Sequence, residues 1–261
     1  MPSLRYFSDK LSGKIQRITS ACFAQQSAEL PKGRYISFCF DDFPQSAVRN
    51  AVPVLDRRAW KATWYACGSY MGCQHDTYGT MYTQQDLHYL IADGHEIGCH
   101  TYDHIDCAKT DAAHLVAQSL RNARFLQAQG VMEIQSFAFP FGAASLASKQ
   151  IMAGVAPALR GVQPGINRRQ IDLRMLKACG IQDNAGGCAT VYKMLEELRR
   201  SEGWLIVFTH DVCDTPSPWG CTPEGFDALL DAVAQTDAEI LTVGDMVARL
   251  RGSADITAQA I

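Results

Sequence analysis

The sequence predicts a single α/β domain whose parallel strands close into a barrel. Short apolar runs typical of buried strands alternate with segments of helical periodicity along the 261 residues, as in chains of βαβ units. Roughly seven or eight such repeats are enough for a parallel sheet to close. Carboxylate and imidazole side chains follow several strands, which places them at the edge where barrels bind ligands. No linker, repeat or low-complexity run divides the sequence.

Composition narrows the classes of function. Hydrophobic residues make up 47% of the chain and charged residues 20%, which suits a closed core. The formal net charge of -3, with arginine doublets such as 168–169 and 199–200 isolated rather than in a stripe, disfavours nucleic acid as the main partner. Ten cysteines occur without a CxxC pair, and some, such as Cys39 and Cys99, lie inside apolar runs. We interpret most of them as buried free thiols.

The sequence also suggests a compartment. Residues 1–26 carry five charges and no apolar core followed by a cleavage pattern, so no secretory signal is visible. No stretch is apolar for long enough to span a bilayer. Together with the reduced thiols, these features predict a cytoplasmic protein.

The first predicted strand is Tyr35–Phe40, an aromatic and β-branched run that is too short for a helix. Pro44 lacks an N–H and ends it. Apolar residues at helical spacing follow over 46–59. Ser46 is the expected N-cap, and Pro53 is expected to kink this helix unless the helix begins later.

The next strand and helix have clear end signals. Lys61–Ala66 is strand-like, and a helix is predicted over 83–92. Thr83 and Asp86 form an Asp-containing version of a capping box at its start. Gly94 ends the helix.

The same two periodicities predict the remaining elements. Strands are expected at 95–99, 136–139, 158–162, 177–181, 204–209 and 239–241. Helices are expected at 111–129, 144–153, 189–200, 223–235 and 243–251. Residues 163–172 are polar and loop-like.

Polar side chains follow three of the predicted strands. Asp41 and Asp42 come after the first strand, His100 and His104 follow the strand at 95–99, and His210 follows a later one. An Asp pair alone is often turn chemistry, and two histidines four residues apart can be a surface accident. Turn chemistry and chance do not easily explain why three separate strands place such residues on the same face of a barrel.

These residue types suit metal-dependent hydrolysis. His100 and His104 share a face if they lie in a helical turn, and with one Asp they can hold a divalent ion that stays open to water. The ion lowers the pKa of water, a second carboxylate removes its proton, and an imidazole protonates the leaving group. His210 and Asp211 could equally be a satisfied polar pair. The other histidines are interpreted as structural: His75, His88, His95 and His114.

In chain order, the motifs FDDFP, HTYDH, FPFG and IVFTHD resemble those of the polysaccharide deacetylase (NodB-homology) family. The resemblance extends from about Tyr35 to Thr242. It implies a distorted (β/α)7-type barrel as a single domain over 1–261, with an N-terminal extension at 1–33 and a catalytic barrel at 34–251. It also implies removal of an N- or O-acyl group from a carbohydrate with one divalent metal ion, most simply Zn²⁺, with Co²⁺, Ni²⁺, Fe²⁺ or Mn²⁺ as alternatives.

The resemblance carries four roles over by position. They fall on Asp41 as base and His210 as acid, on Asp42, His100 and His104 as metal ligands, and on Phe139, Pro140 and Phe141 as the substrate-lining motif. The backbone N–H of Phe141 is the expected donor to the developing oxyanion.

Departures from the family pattern add expectations. Phe43 replaces the usual Gly and should narrow or reshape the mouth of the site. Ala138 replaces a common Arg that pairs with the base. Arg160, on the next strand, either supplies that cation or forms an ordinary salt bridge. Asp172 is the candidate for orienting the catalytic His. Without the usual Arg, the base should have a less depressed pKa and give a higher acidic limb in the pH–rate profile.

Two other functions stay open. One is a metal-dependent hydrolase of a non-sugar amide, since fold does not fix substrate. The other is a degenerate glycan-binding domain, which the retention of all five polar residues disfavours. The loop 214–222, with Trp219, fits a sugar-stacking lid and a Pro-stiffened connection equally well. The expected partner is an acylated carbohydrate, free or lipid-linked, in surface-polysaccharide biosynthesis.

Overall fold

The computed structural model describes residues 26–182 and 187–259. Its strands are β1 (Ser27–Glu29), β2 (Arg34–Asp41), β3 (Thr63–Ala66), β4 (Gln74–His75), β5 (Gly79–Thr80), β6 (Glu96–Cys99), β7 (Ser136–Ala138), β8 (Ala158–Arg160), β9 (Gln170–Asp172), β10 (Cys179–Gly180), β11 (Gly203–Thr209) and β12 (Glu239–Ile240). Its α-helices are α1 (Gln45–Asp56), α2 (Gln84–Ala92), α3 (Ala112–Ala128), α4 (Leu146–Met152), α5 (Gly187–Arg199), α6 (Pro223–Ala234) and α7 (Val243–Gln259).

Seven parallel strands form the central sheet in the order β10-β11-β2-β3-β6-β7-β8. The short β12 pairs with the beginning of β2. The sheet curls until its two edges approach, because an isolated parallel bridge joins Arg160 on β8 to Leu176, just before β10. The predicted distorted barrel of seven strands is therefore confirmed.

Side chains alternate between the interior of the barrel and its outer face, as the pleat of a strand requires. The interior combines small residues with large ones. Ala138 and Ala158 lie beside Tyr65 and Trp204 in one buried cluster. Gly98 also leaves room for a large side chain, because a Cβ at this position would lie 2.5 Å from the Tyr65 ring. The small residues leave room for the large side chains that fill the barrel.

Helices α1 to α6 cover the outer face, where their buried residues join Phe38, Phe40 and Trp64 in the second core cluster. Helix α7 instead closes the end of the barrel where the strands begin. The Glu96 carboxylate holds its first turn in place. It accepts hydrogen bonds from the N–H of Gly244 (2.7 Å), Thr63 Oγ1 (2.7 Å) and Ser136 Oγ (2.6 Å).

Most element predictions are confirmed, including the capping box at Thr83 and Asp86. The N-cap prediction at Ser46 is wrong: the cap is Pro44, two residues earlier, so α1 begins at Gln45, and Pro53 lies inside the helix. The prediction of a loop over 163–172 is also wrong at its end, because β9 pairs there with β1. The β4–β5 hairpin was not predicted.

The nine cysteines in the described part of the chain are free thiols, and six of them are buried, as predicted for most of these residues; five of the six are Cys39, Cys67, Cys99, Cys107 and Cys179. A sixth buried residue, Cys221, follows the strand β11. Across the ranges that the structure describes, no helix has both the length and the apolar character that a membrane span needs.

Candidate active site

A cavity of about 580 Å³ opens at the carboxyl ends of the strands. Its lining includes Asp41 and Asp42 after β2, His100 and His104 after β6, Phe139 and Phe141 after β7, and His210 after β11. The barrel therefore brings together the polar residues that the sequence places after separate strands.

Asp42, His100 and His104 form a group that could hold one metal ion, since one ligand atom from each lies within 4.8 Å of the others. His104 Nε2 is 3.2 Å from Asp42 Oδ2, and His100 Nε2 is 3.8 Å from Asp42 Oδ1. Two imidazoles and one carboxylate are a ligand set that leaves a position for water or substrate.

Backbone contacts fix the His100 ring. Its Nδ1 lies 2.7 Å from the carbonyl oxygen of Ala138, which can only accept, so Nδ1 carries the hydrogen. The lone pair of Nε2 is then available toward Asp42, in the arrangement typical of metal-binding histidines. The Cys67 thiol lies 3.4 Å from Asp42 Oδ1 and 3.1 Å from the His100 carbonyl oxygen, which links the two loops.

The loops reach this arrangement through left-handed backbone conformations. The φ angles are 55° at Asp42, 62° at Thr101, 50° at His104 and 58° at Phe141. Non-glycine residues rarely adopt such angles, and they concentrate at functional sites. The two histidines come together without the helical turn that would also place them on one face, because they lie on a loop with bends at Tyr102 and Asp103.

The electrostatics of the group favour a cation. Burial, together with the charge of Asp41, raises the pKa of the Asp42 carboxyl well above its usual range. Burial lowers the pKa of His100 to about 4 and, with the neighbouring imidazole, that of His104 to about 2. Both rings are then neutral near pH 7, with lone pairs free for a ligand bond. A divalent ion would offset the cost of keeping the carboxylate charged.

Asp41 has a buried cationic partner. Arg160 Nη2 lies 2.6 Å from both carboxylate oxygens of Asp41, and the guanidinium lies between the rings of Tyr65 and Phe208, 5.0 and 4.8 Å from their centroids. Burial alone would raise the pKa of Asp41, but the guanidinium holds it below its usual value. We expected the pKa of Asp41 to be less depressed because the usual arginine is missing. That expectation is wrong, because Arg160 supplies the cation.

His210 is half-buried at the end of β11. Its Nδ1 lies 3.3 Å from the carbonyl oxygen of Trp219, and its ring stacks on Tyr78 at a centroid distance of 5.5 Å. Burial lowers the pKa of His210, whereas the charge of Asp41 acts in the opposite direction.

Asp172 does not lie beside the His210 ring, and its predicted orienting role is wrong. Its carboxylate accepts hydrogen bonds from the N–H groups of Gln26 and Arg174 and lies 3.3 Å from the buried Lys149 ammonium. These contacts fasten β9 to the chain on either side of it.

The motif after β7 lies partly in the cavity. Phe139 and Phe141 line it, and Pro140 is buried between them. The Phe141 side chain is 61% exposed, and its ring contacts the His104 ring edge-on at 4.4 Å. An exposed ring beside a ligand histidine can contact a substrate that enters the cavity.

The expectation for Phe43 is wrong. The residue is fully buried and stacks on Tyr82 at 4.4 Å, with Trp64 edge-on at 5.2 Å. Its side chain packs into the outer core, because Asp42 in the left-handed conformation turns the chain away from the mouth.

Sequence reasoning missed several cavity-lining residues, notably Tyr78, Val162, Gln182 and Thr190. Tyr78 lies in the turn of the β4–β5 hairpin, whose strands are too short to give a periodic signal. Gly79, the first residue of β5, was the available cue. A second acid and histidine group, Asp56, Asp93 and His95, surrounds Lys61, whose ammonium lies 3.0 and 2.6 Å from the two carboxylates. The Lys61 ammonium therefore already supplies the positive charge that these carboxylates need.

Comparisons with known proteins identify a similar family and a similar fold. The family profile described as polysaccharide deacetylase matches residues 29–155. A chitin deacetylase from Pestalotiopsis sp. is 30% identical over an alignment of 109 residues, and the match covers 38% of this chain and 35% of that protein. The matched part therefore spans about a third of the relative's length.

Two solved structures share the fold at low sequence identity. The Xyl-CE4 domain of a multidomain xylanase from the hindgut metagenome of Trinervitermes trinervoides has a TM-score of 0.61 and 16% identity, over 83% of this chain and 91% of that one. A family 4 acetyl xylan esterase from Clostridium thermocellum, in complex with a cobalt ion, has a TM-score of 0.59 and 18% identity, over 82% and 90%.

Proposed function

We propose that this chain, which is related to the polysaccharide deacetylases, is a metal-dependent hydrolase that removes an N- or O-acyl group from a carbohydrate. One observation carries the proposal. The same cavity is lined by a two-histidine, one-carboxylate group, by a separate carboxylate paired with a buried arginine, and by a further imidazole. These are the groups that acyl hydrolysis needs for charge stabilisation, base catalysis and acid catalysis.

Asp42, His100 and His104 would hold the ion, and the Ala138 carbonyl fixes the tautomer of one ligand. A bound divalent ion supplies positive charge that makes water more acidic and polarises a carbonyl group. We propose Zn²⁺, because it accepts imidazole and carboxylate ligands together. Cobalt in the structure of the Clostridium esterase is consistent with a divalent site of this kind.

Asp41 is the proposed base. Its ion pair with Arg160 keeps the carboxylate ionised at neutral pH, so that it can accept a proton from water. The pair is buried, which holds both groups in one geometry.

His210 is the proposed acid, and it gives a proton to the departing amine or alcohol. Because Nδ1 faces the Trp219 carbonyl oxygen, Nε2 is the nitrogen left to act toward the cavity. The N–H of Phe141 is the proposed donor to the substrate oxygen on which negative charge develops.

The cavity walls support a sugar as substrate. Tyr78, Phe141 and Trp219 present rings around the polar centre, and such surfaces pack against the apolar faces of sugar rings. We place the reaction in the cytoplasm, in the assembly of a surface polysaccharide, on a free or lipid-linked sugar. The buried free thiols fit a reducing compartment.

The test is acetate release from N- and O-acetylated sugars by metal-depleted protein before and after addition of Zn²⁺ or Co²⁺. We expect turnover only after metal addition. Asp41→Asn should lose at least about 100-fold in kcat, whereas Asp214→Asn, an exposed Asp outside the cavity, should retain it. Turnover of non-sugar amides instead of acetylated sugars would contradict the carbohydrate assignment. Glycan binding by metal-loaded protein without turnover would contradict the hydrolase.

A further inference from the structure

We propose that Asp211 and Tyr78 are positioning residues that together set the orientation of the His210 ring. The inference rests on the proposed role of His210 as proton donor. In the described part of the chain, Asp172 contacts other groups, and the polar contact of His210 Nδ1 is a backbone carbonyl. The orientation of the ring therefore depends on what holds that carbonyl and on what lies against the face of the ring.

Asp211 holds the loop that carries the carbonyl. It is nearly fully buried, and its carboxylate accepts hydrogen bonds from Ser217 N–H (2.7 Å) and Ser217 Oγ (2.5 Å). The N–H of Trp219 in turn donates to Ser217 Oγ (3.1 Å). A Cβ on Gly220 would lie 2.2 Å from Asp211 Oδ1, so the loop closes tightly on this carboxylate.

The loop presents the Trp219 carbonyl oxygen to His210. The oxygen lies 3.3 Å from His210 Nδ1 and also accepts a hydrogen bond from Thr209 Oγ1 at 3.3 Å. A carbonyl oxygen only accepts, so it selects the tautomer with hydrogen on Nδ1. Asp211 thus acts on His210 through the backbone of the loop.

Tyr78 fixes the plane of the ring. The two rings are stacked with an angle of 17° between them. Tyr78 is itself stacked on His75 at 4.8 Å, and His75 meets Tyr70 edge-on at 5.2 Å. This row of rings supports Tyr78 from behind, and an electron-rich ring favours the cationic form of the imidazole that donates a proton.

The two contacts restrict different motions. The hydrogen bond to Nδ1 fixes the direction in which that nitrogen points, but the His210 ring could still rotate about the axis of this bond. The stacked Tyr78 ring blocks that rotation. A proton donor must stay within a narrow geometry, so the loss of either contact should cost acid catalysis before it costs other functions of the site.

The first experiment compares two leaving groups. On an N-acetylated sugar, Asp211→Ala and Tyr78→Ala should each lower kcat about 100-fold, because the departing amine needs a proton. On 4-nitrophenyl acetate both should keep kcat within about twofold, because this leaving group departs without one. Tyr78→Phe keeps the stacked ring and should recover most of the kcat that Tyr78→Ala loses on the sugar. Asp214→Ala, an exposed carboxylate in the same loop, is the matched control.

Equal losses on the two substrates would show a merely structural role and overturn the inference, as would undiminished kcat on the sugar. Retained aryl ester turnover and metal content report that each variant is folded.

A second readout does not depend on turnover. Nitrogen NMR of the His210 imidazole should show hydrogen on Nδ1 in the wild type and a shift toward the other tautomer in Asp211→Ala. An unchanged tautomer would overturn the inference. If the wild type releases no acetate from any sugar, the proposed function fails, and this NMR comparison alone decides the positioning role.

Discussion

Arg160 on β8 reaches Asp41 at the end of β2 and lies 2.6 Å from both of its carboxylate oxygens. Ala138, where the resemblance expects an arginine, is the register partner of Arg160 on the neighbouring strand β7. Register partners on parallel strands point to the same side of a sheet. The cation is therefore present at the same level of the barrel interior, one strand further along.

Removal of this cation should move the pH profile. Because the base must be deprotonated, kcat/KM falls as the pH drops through the pKa of Asp41. In Arg160→Met the guanidinium no longer opposes burial, so the pKa rises and the acidic limb should move to higher pH. The measurement is kcat/KM against pH on an acetylated sugar, with Arg160→Lys as the charged control. An acidic limb that stays in place would contradict a functional pair.

The two arginine positions should be interchangeable in part. Arg160→Ala should lower kcat about 100-fold. Adding Ala138→Arg to this variant should raise kcat again by at least about tenfold. The space that Arg160 leaves in the barrel interior accepts the new side chain at the same level. Steady-state kinetics of both variants and of Ala138→Arg alone test this. A double variant no better than Arg160→Ala would show that the strand of origin matters.

The Trp219 side chain should affect binding rather than chemistry. Trp219, whose side chain is partly exposed, lines the cavity, and its backbone carbonyl contacts His210. Trp219→Ala keeps the carbonyl and should raise KM about tenfold for a sugar with little change in kcat. The opposite pattern, a kcat loss at constant KM, would mean that the indole itself supports the acid.

The Glu96 carboxylate should contribute to stability through helix α7. Glu96→Ala leaves the Gly244 N–H and two hydroxyl groups without this acceptor, and we expect a loss of about 2 kcal/mol of unfolding free energy. For a chain of this size that is about 4 to 8 °C in Tm. Thermal unfolding of Glu96→Ala beside exposed Glu202→Ala checks this, and equal Tm values would contradict it.

The resemblance to the polysaccharide deacetylases is confirmed, and the strands that build the barrel were predictable. Each of these strands is an apolar run with a turn signal after it, and the site residues follow directly. The β4–β5 hairpin has two residues per strand, too few for any periodicity. Tyr78 was missed for this reason.

Pairings across the barrel were harder to predict than its elements. Asp41 and Arg160 are 119 residues apart in the chain, so the sequence alone did not decide between an ordinary salt bridge of Arg160 and a cation for the base. Asp172 ends a polar segment whose composition is typical of a loop, but strand pairing with β1 holds it away from His210. The His100–His104 spacing suggested a helical turn, and the left-handed φ angles at Thr101 and His104 give a different loop that still brings both rings together.

Metal content tests the central claim most directly. Elemental analysis of purified protein should find about one equivalent of divalent metal in the wild type and in His114→Ala, an exposed histidine on α3, and almost none in His104→Ala. That result would establish His104 as part of a metal centre. Wild-type protein without metal after reconstitution with Zn²⁺ or Co²⁺, or a His104→Ala variant that retains its metal, would contradict the account.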